Sequence, residues 1–145
     1  MTKILECVLS VSMRRDADTK QKRGSATAGA NGLVEEAALL RVLSDPTRLR
    51  LAVALSRNGE TCVCTLAEAL AEPEYKISRH LAVMRSAGLV VTRRAGTWMY
   101  YKLASPGSSF EKCLWRCFHK DLGQQEPIAS ILRRMKKMNC EERKR

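Results

Sequence analysis

The sequence predicts a mainly α-helical domain with one small β-hairpin. Between residues 33 and 88, apolar residues recur at helical spacing in four segments, which are separated by breaks containing Pro, Gly or Asn. Residues 89–103 then contain two β-rich runs on either side of Gly96. This order predicts a winged helix-turn-helix domain with about five helices and a two-stranded wing.

The charge of the chain indicates a polyanionic partner. Lys and Arg number 26 against 15 Asp and Glu, a formal net charge of +11, which attracts nucleic acid or an anionic membrane surface. The apolar run at residues 4–11 is short and is interrupted by Glu6, so we expect neither a membrane span nor a secretory signal. We therefore expect a cytoplasmic protein with reduced cysteines and no membrane contact.

Three parts of the chain differ in composition. Residues 1–32 are expected to form a flexible arm, because residues 14–32 are rich in charged and small residues without an apolar period. Residues 33–120 carry the periodic patterns and are expected to form the DNA-binding and dimerisation domain. Residues 121–145 form a basic tail with apolar residues at helical spacing. The pattern leaves open whether this tail packs on the domain.

Capping signals bound the first two helices. Helix one is expected to begin near Leu33 and to end just before Asp45. Pro46 suits the first position of helix two because its missing N–H would be unpaired there, and Asp45 suits the N-cap. The second helix is then expected to stop at Asn58 and Gly59.

Two short helices with a Pro-containing connection follow. Residues 65–68 match a capping box, so helix three is expected to start within one residue of Cys64 and to run to about Ala71. Helix four follows residues 72–74 and ends at Gly88. The pair is the expected helix-turn-helix.

A hairpin and a fifth helix complete the predicted domain. The β-rich runs at residues 89–92 and 98–103 flank residues 93–96, which predicts a wing with Arg93 and Arg94 at a basic tip. The fifth helix is expected over about residues 108–120.

Five motifs, taken in order, resemble those of the ArsR/SmtB family of winged-helix metalloregulatory repressors. They are LSDPTRLR at 43–50, ETCVC at 60–64, SRHL at 78–81, AGLV at 87–90 and YYKL at 100–103. The likeness covers about residues 34–118, and Cys62-Val63-Cys64 resembles the box of the arsenic(III)-responsive branch. The resemblance implies a homodimeric repressor that binds double-stranded operator DNA. It also implies release when As(III) or Sb(III) binds cysteine thiolates, which derepresses arsenic resistance genes.

The sequence departs from that branch at two places. Ala67 stands where the arsenic-type box commonly carries a third cysteine, so the usual three-thiolate set is incomplete. Pro73, Glu74 and Tyr75 replace the polar residues that often precede the recognition helix. An operator sequence therefore does not transfer from relatives.

Cys62 and Cys64 are the first candidate ligands. Two residues apart on a helix, their side chains would diverge by about 200°, so they share one ion only where the backbone is extended. Thiolates select soft ions, here As(III) or Sb(III), with Cd(II) and Pb(II) as further candidates. The alternative is that both are small buried apolar residues in a short strand.

The third ligand has several candidates. Cys113 and Cys117 lie four residues apart on one face of helix five, and either could donate a thiolate, from the same subunit or its partner. An external thiol such as glutathione is another candidate. The alternative for this pair is packing in the core or at the dimer interface. Cys7 and Cys140 lie in the tails, where a ligand role is not expected.

The candidate DNA contacts lie on helix four and the wing. A recognition helix presents its N-terminal residues to base edges, and flanking cations bind phosphates. The candidates are Lys76, Ser78, Arg79 and His80 on the helix and Arg93 and Arg94 on the wing. The alternative is that these are ordinary solvated charges. A dimer is expected because one such helix buries too little surface, with helices one and five as the interface.

Two other functions are compatible with some of these features. A repressor of the same fold could sense oxidants or sulfide, in which case Cys113 and Cys117 are better placed to pair than Cys62 and Cys64. An enzyme is not expected, because the sequence contains no Cys-x-x-Cys beside a βαβ pattern and no phosphate-binding glycine loop.

Overall fold

The computed structural model describes residues 32–138, which form six α-helices and a three-stranded antiparallel sheet. Cys7, Cys140 and nearly all of the expected N-terminal arm lie outside the described residues. The helices are α1 (Gly32–Leu43), α2 (Pro46–Asn58), α3 (Val63–Leu70), α4 (Glu74–Ser86), α5 (Ser109–Lys120) and α6 (Ile128–Lys137). The strands are β1 (Thr61–Cys62), β2 (Val90–Ala95) and β3 (Trp98–Leu103), and a 3₁₀ turn spans Leu122–Gln124. Within residues 32–138 no helix is long and apolar enough to cross a membrane.

The central helix is α2, whose start confirms the sequence prediction. Pro46 is its first residue, and the Asp45 side chain accepts a 2.9 Å hydrogen bond from the Arg48 amide. Burial raises the pKa of Asp45, but this hydrogen bond and the nearby Arg48 and His80 outweigh it and leave the pKa below its ordinary value. Residues 51–55 are all buried, because α1, α4, α5, α6 and β3 contact α2 on different sides.

The start of α3 is correct in position, but the predicted capping box is wrong. Cys62 is the N-cap residue and makes no side-chain capping bond, whereas Thr65 lies inside the helix and is 6% exposed. The reason is that Cys62 pairs with Tyr100 in the sheet, which keeps residue 62 extended and starts the helix at Val63. The chain then turns through Ala71, a left-handed residue with φ 55°, into α4.

The sheet differs from the predicted two-stranded wing in two ways. Its strand order is β1-β3-β2, because residues 61–62 add a third strand. Pairing of β2 with β3 continues to Ala95 opposite Trp98, so Arg93 and Arg94 lie within β2 rather than at the tip. The tip is a two-residue turn at Gly96 and Thr97, and the φ of +61° at Gly96 is one that glycine adopts without strain.

The C-terminal segment docks on the domain. The capping box at the start of α5 joins Ser108 and Glu111, and only Phe118 of that helix is buried in the single chain. Helix α6 buries Ile128, Ile131 and Met135 and contacts both α2 and α3. The apolar face of α6 is thus buried within the subunit.

Candidate thiol site and DNA interface

The structure brings Cys62 and Cys64 together at the junction of β1 and α3. Cys62 has extended backbone angles, φ −67° and ψ 147°, and Cys64 lies in the first turn of the helix. The change from strand to helix between them directs both sulfurs to one side, with the Sγ atoms 2.6 Å apart. Cys62 is buried and Cys64 is half-buried, so the pair is reached from the Cys64 side.

The pair spans the junction between the sheet and α3. Cys62 belongs to β1 and Cys64 to the first turn of α3, so an ion bound by both sulfurs would connect the strand to the helix. Cysteine thiolates select soft, thiophilic ions. The pair can therefore supply two donors to one such ion.

The cysteines of α5 do not join this pair within one subunit. Among residues 32–138 no three His, Cys, Asp or Glu side chains are grouped so that they could hold one metal ion. Cys113 and Cys117 lie half-buried on α5, which packs chiefly on α2 rather than on α3. Ala67, one turn after Cys64, is 6% exposed and offers no donor.

The packing of α4 decides which of its residues point outward. Ile77, Leu81 and Met84 are fully buried and define the inner face. Tyr75 and Arg79 lie on the opposite face, with Tyr75 67% exposed and the Arg79 guanidinium 6.0 Å from the Tyr75 ring centre. Tyr75 was not among the sequence candidates, although its position four residues before Arg79 was a usable signal.

Three other candidates on α4 have partners within the domain or lie to the side. The Lys76 ammonium donates to both carboxylate oxygens of Glu72 at 2.9 Å. His80 is directed toward the start of α2, where its Nδ1 lies 3.7 Å from Asp45 Oδ1. Ser78 is half-buried on the flank of the helix. Of the four helix candidates, Arg79 alone is exposed at the centre of the outer face.

The two wing arginines also have partners. Arg93 donates to both Glu60 oxygens, at 2.9 and 2.6 Å, and its guanidinium lies 4.9 Å from the Tyr100 ring centre. The hydrogen bond from Arg93 holds the pKa of the Glu60 carboxyl below its ordinary value. Arg94 points to the other face of the strand and donates from Nε to the Gly96 carbonyl at 3.0 Å.

One cross-strand row connects the thiol pair to the wing. Cys62 is paired with Tyr100, and Tyr100 is paired with Arg93, so the three residues lie side by side across β1, β3 and β2. Side chains in such a row occupy one face of the sheet and contact their neighbours. Tyr100 is therefore the one residue between Cys62 and Arg93 in this row.

Comparison with known proteins identifies the family of this chain. The sequence profile of the arsR family of bacterial regulatory proteins matches residues 45–92, which span α2, the helix-turn-helix and the first part of β2. The arsenical resistance operon repressor of Escherichia coli K12 is 38% identical over 106 residues, covering 70% of this chain and 86% of that protein. The chain belongs to the arsR family. As an arsR-family protein it is a helix-turn-helix transcriptional regulator and not an enzyme.

Solved structures agree with the predicted winged helix-turn-helix fold. Reduced HlyU from Vibrio cholerae superposes with a TM-score of 0.56 at 27% identity, covering 66% of this chain and 95% of that one. The homodimeric winged helix-turn-helix DNA-binding domain Mb0332 from Mycobacterium bovis gives a TM-score of 0.52 at 29% identity, covering 67% and 83%. The arsR-family fold predicted from the sequence is confirmed.

Glu60→Gln is expected to strengthen DNA binding. In the wild type the Glu60 carboxylate accepts hydrogen bonds from Nε and Nη2 of Arg93, a bidentate edge of the guanidinium that a phosphate would also use. The neutral amide of glutamine no longer forms an ion pair with Arg93, which leaves Arg93 free to bind a phosphate. The affinity for DNA should therefore rise a few-fold. The plot of log affinity against log salt should steepen by about 0.9 per protomer. Fluorescence anisotropy at several salt concentrations measures both quantities.

Asp121→Asn is the matched control for this substitution. It removes the same negative charge from an exposed position at the end of α5, away from the wing. A salt slope that changes equally in both variants would show a general charge effect and would contradict a phosphate contact by Arg93.

Proposed function

We propose that this arsR-family protein is a homodimeric repressor of arsenic resistance genes that leaves its operator when As(III) or Sb(III) binds Cys62 and Cys64. The observation that carries the proposal is the convergence of the two sulfurs, 2.6 Å apart, at the N-terminus of α3. That helix is the first of the helix-turn-helix and packs directly against α4. A thiophilic ion and the DNA would thus act on the same structural unit.

DNA binding is assigned to the outer face of α4 and to the wing. We assign Arg79 to reading a base edge or clamping a phosphate, which is supported by its exposure and by Tyr75 beside it. We assign Arg93 and Arg94 on β2 to phosphate or the minor groove, with Arg93 released from Glu60 when DNA binds. His80 is assigned a supporting role, because its contact with Asp45 connects α4 to the start of α2. This contact would help to hold the recognition helix in position. Lys76 and Ser78 are assigned to flanking phosphates.

Release follows from the two connections of the thiol pair. An ion held by both sulfurs would change the angle between β1 and α3, and α3 would carry α4 with it because the two helices pack against each other. The same binding would displace Tyr100, whose ring lies beside the Arg93 guanidinium in the wing. Both DNA-contacting elements would lose the spacing that fits one operator, so affinity for DNA would fall.

The third position on As(III) is assigned to a thiol from outside this set of residues. Ala67 cannot supply it, and α5 does not reach the pair within one subunit. Cys113 or Cys117 of the second copy, or a small thiol such as glutathione, remains available. Such a ligand would reach the pair from the side of the half-buried Cys64. Cd(II) and Pb(II) are further candidate ions because they are also thiophilic.

Dimerisation is assigned to α1 and α5. Leu33, Val34 and Leu40 on α1 are 78%, 67% and 49% exposed in the single chain, and α5 buries only Phe118. These apolar faces lie on neighbouring sides of α2 and would be covered by the same faces of a second copy. Two α4 helices related by a two-fold axis then fit a palindromic operator.

An ion panel tests the proposal. DNA selected by the immobilised protein from a random duplex pool serves as the operator, and release is followed by anisotropy with arsenite, antimonite, cadmium, zinc and peroxide. We expect arsenite and antimonite to release the DNA at concentrations well below those required for zinc, and peroxide to leave it bound. Release by peroxide but not by arsenite would support the thiol-oxidation alternative instead.

A further inference from the structure

A basic cleft lies where α2, α5, the 3₁₀ turn and α6 meet. It is separate from the thiol pair and from the recognition helix α4. Its volume is about 430 Å³, which lies within the range of small-ligand sites. The polar and charged side chains that line it belong to Arg57, Asn58, His119, Arg133 and Lys136. Nothing in the proposed sensing or DNA-reading mechanism uses this cleft.

Arg57 is held in place at the cleft. Its Nη1 donates to the His119 carbonyl at 2.8 Å. Its stem lies flat on Gly123, where an added Cβ would come within 3.1 Å of Arg57 Cδ. This bond uses one of the five N–H groups of the guanidinium, so the remaining donors of an already oriented side chain are available to a ligand.

The charges around the cleft are not balanced. Arg133 forms a 2.8 Å ion pair with Glu126, which also keeps the pKa of Glu126 below its ordinary value. Arg57 and Lys136 form no ion pair with any carboxylate in the described part of the chain. Within residues 32–138, no carboxylate therefore offsets the positive charges of Arg57 and Lys136 at the cleft.

We propose that this cleft binds a phosphate group. A guanidinium fork and an ammonium group on facing helices bind a tetrahedral oxyanion with charge-assisted hydrogen bonds from two directions. The phosphate comes either from the DNA backbone beside the operator or from a free phosphorylated small molecule. The DNA source rests on the proposed operator binding and is supported by the packing of α6 on α3, the first helix of the helix-turn-helix.

An anionic membrane is a poor match for this surface. A basic amphipathic helix binds a bilayer by inserting its apolar face. The apolar face of α6, formed by Ile128, Ile131 and Met135, is buried against the domain. Within the described part of the chain, α6 therefore has no free apolar face with which to enter a bilayer.

The first arm of the test measures binding of inorganic phosphate by the full chain. Thermal denaturation is followed in phosphate and in chloride at equal ionic strength. Phosphate should raise the melting temperature of the wild type, and Arg57→Gln or Lys136→Gln should weaken phosphate binding by about tenfold or more. Arg134→Gln is the matched control, because it removes an exposed cation of α6 that does not line the cleft.

The second arm tests the DNA source. The salt dependence of binding is measured on the selected operator and on the same duplex extended by about one helical turn on each side. If the cleft holds a backbone phosphate, Arg57→Gln should flatten the slope on the extended duplex by about 0.9 per protomer, and not on the short one. An effect of phosphate alone, with unchanged slopes, assigns the cleft to a free phosphorylated ligand.

Equal phosphate stabilisation of wild type and cleft variants, together with unchanged slopes on both duplexes, overturns the proposal. Arsenite-triggered release is measured in the same variants. Release that persists while both phosphate readouts fail removes the cleft assignment only, whereas loss of specific DNA binding by the wild type would count against the proposed function.

Discussion

Cys62→Ser is expected to give a protein that holds its operator but no longer releases it when arsenite is added. Binding of one ion by both cysteine sulfurs is a chelate, and the second sulfur acts at a high effective concentration because it already lies beside the first. With one sulfur left, the arsenite concentration for half-release should rise about 100-fold or more. Anisotropy titration of operator-bound protein with arsenite measures the shift, and Cys64→Ser should behave alike.

The controls separate loss of sensing from loss of folding. Cys62 is buried, so serine places a hydroxyl in an apolar site and Cys62→Ala serves as the second variant. Far-UV circular dichroism and operator affinity in the absence of arsenite should match the wild type in at least one of them. Normal arsenite release by a folded protein lacking both Cys62 and Cys64 would overturn the sensing site.

Substitution of both α5 cysteines identifies the third ligand. If Cys113 or Cys117 of the partner completes the arsenic site, Cys113→Ser/Cys117→Ser should weaken the arsenite response at every glutathione concentration. If an external thiol completes it, the double variant should respond normally and the wild-type response should strengthen as glutathione is added.

Arg79→Ala is expected to abolish operator selectivity. Arg79 lies at the centre of the exposed face of α4, opposite the buried Ile77 and Leu81. A bidentate contact between arginine and guanine contributes roughly 1–3 kcal/mol, and a dimer makes it twice. Affinity for the selected operator should therefore fall about 30-fold to 10⁴-fold, while affinity for unrelated DNA falls much less.

Arg85→Ala is the control for this substitution. Arg85 is exposed on the same helix but lies on its flank, so its loss should reduce affinity for all sequences slightly and equally. If Arg79→Ala likewise weakens operator and unrelated DNA by the same factor, Arg79 clamps phosphate and the assignment as a base-reading residue is wrong.

Local signals in the sequence were sufficient for the helices and for the thiol pair. Asp45 and Pro46 mark the start of α2, and the structure uses both as predicted. The requirement that Cys62 be extended while Cys64 begins a helix is met at the strand–helix junction. The capping box at Thr65 failed because pairing of Cys62 with Tyr100 determines where α3 begins, and that pairing joins residues far apart in the sequence.

For the candidate DNA contacts too, local sequence indicated the residues and tertiary packing decided their surroundings. Residue type and position selected Arg79, His80 and Arg93, but only packing distinguishes the exposed Arg79 from His80, which faces Asp45. Glu60 pairs with Arg93 across 33 residues of sequence, so no local pattern could indicate that the wing arginine is already engaged. The basic cleft likewise requires Arg57 and Lys136, which lie far apart in the sequence but on helices that pack together.

The sequence by itself determined the fold class, the order and approximate bounds of five helices and the hairpin, and the pair of thiols at the helix-turn-helix. These depend on periodicity, caps and turns, whose interactions span only a few residues. The tertiary structure alone decided that α6 docks, that the α5 cysteines lie apart from the thiol pair, and which face of α4 is exposed. Those outcomes depend on which distant segments bury apolar surface together, a property of the whole packed chain.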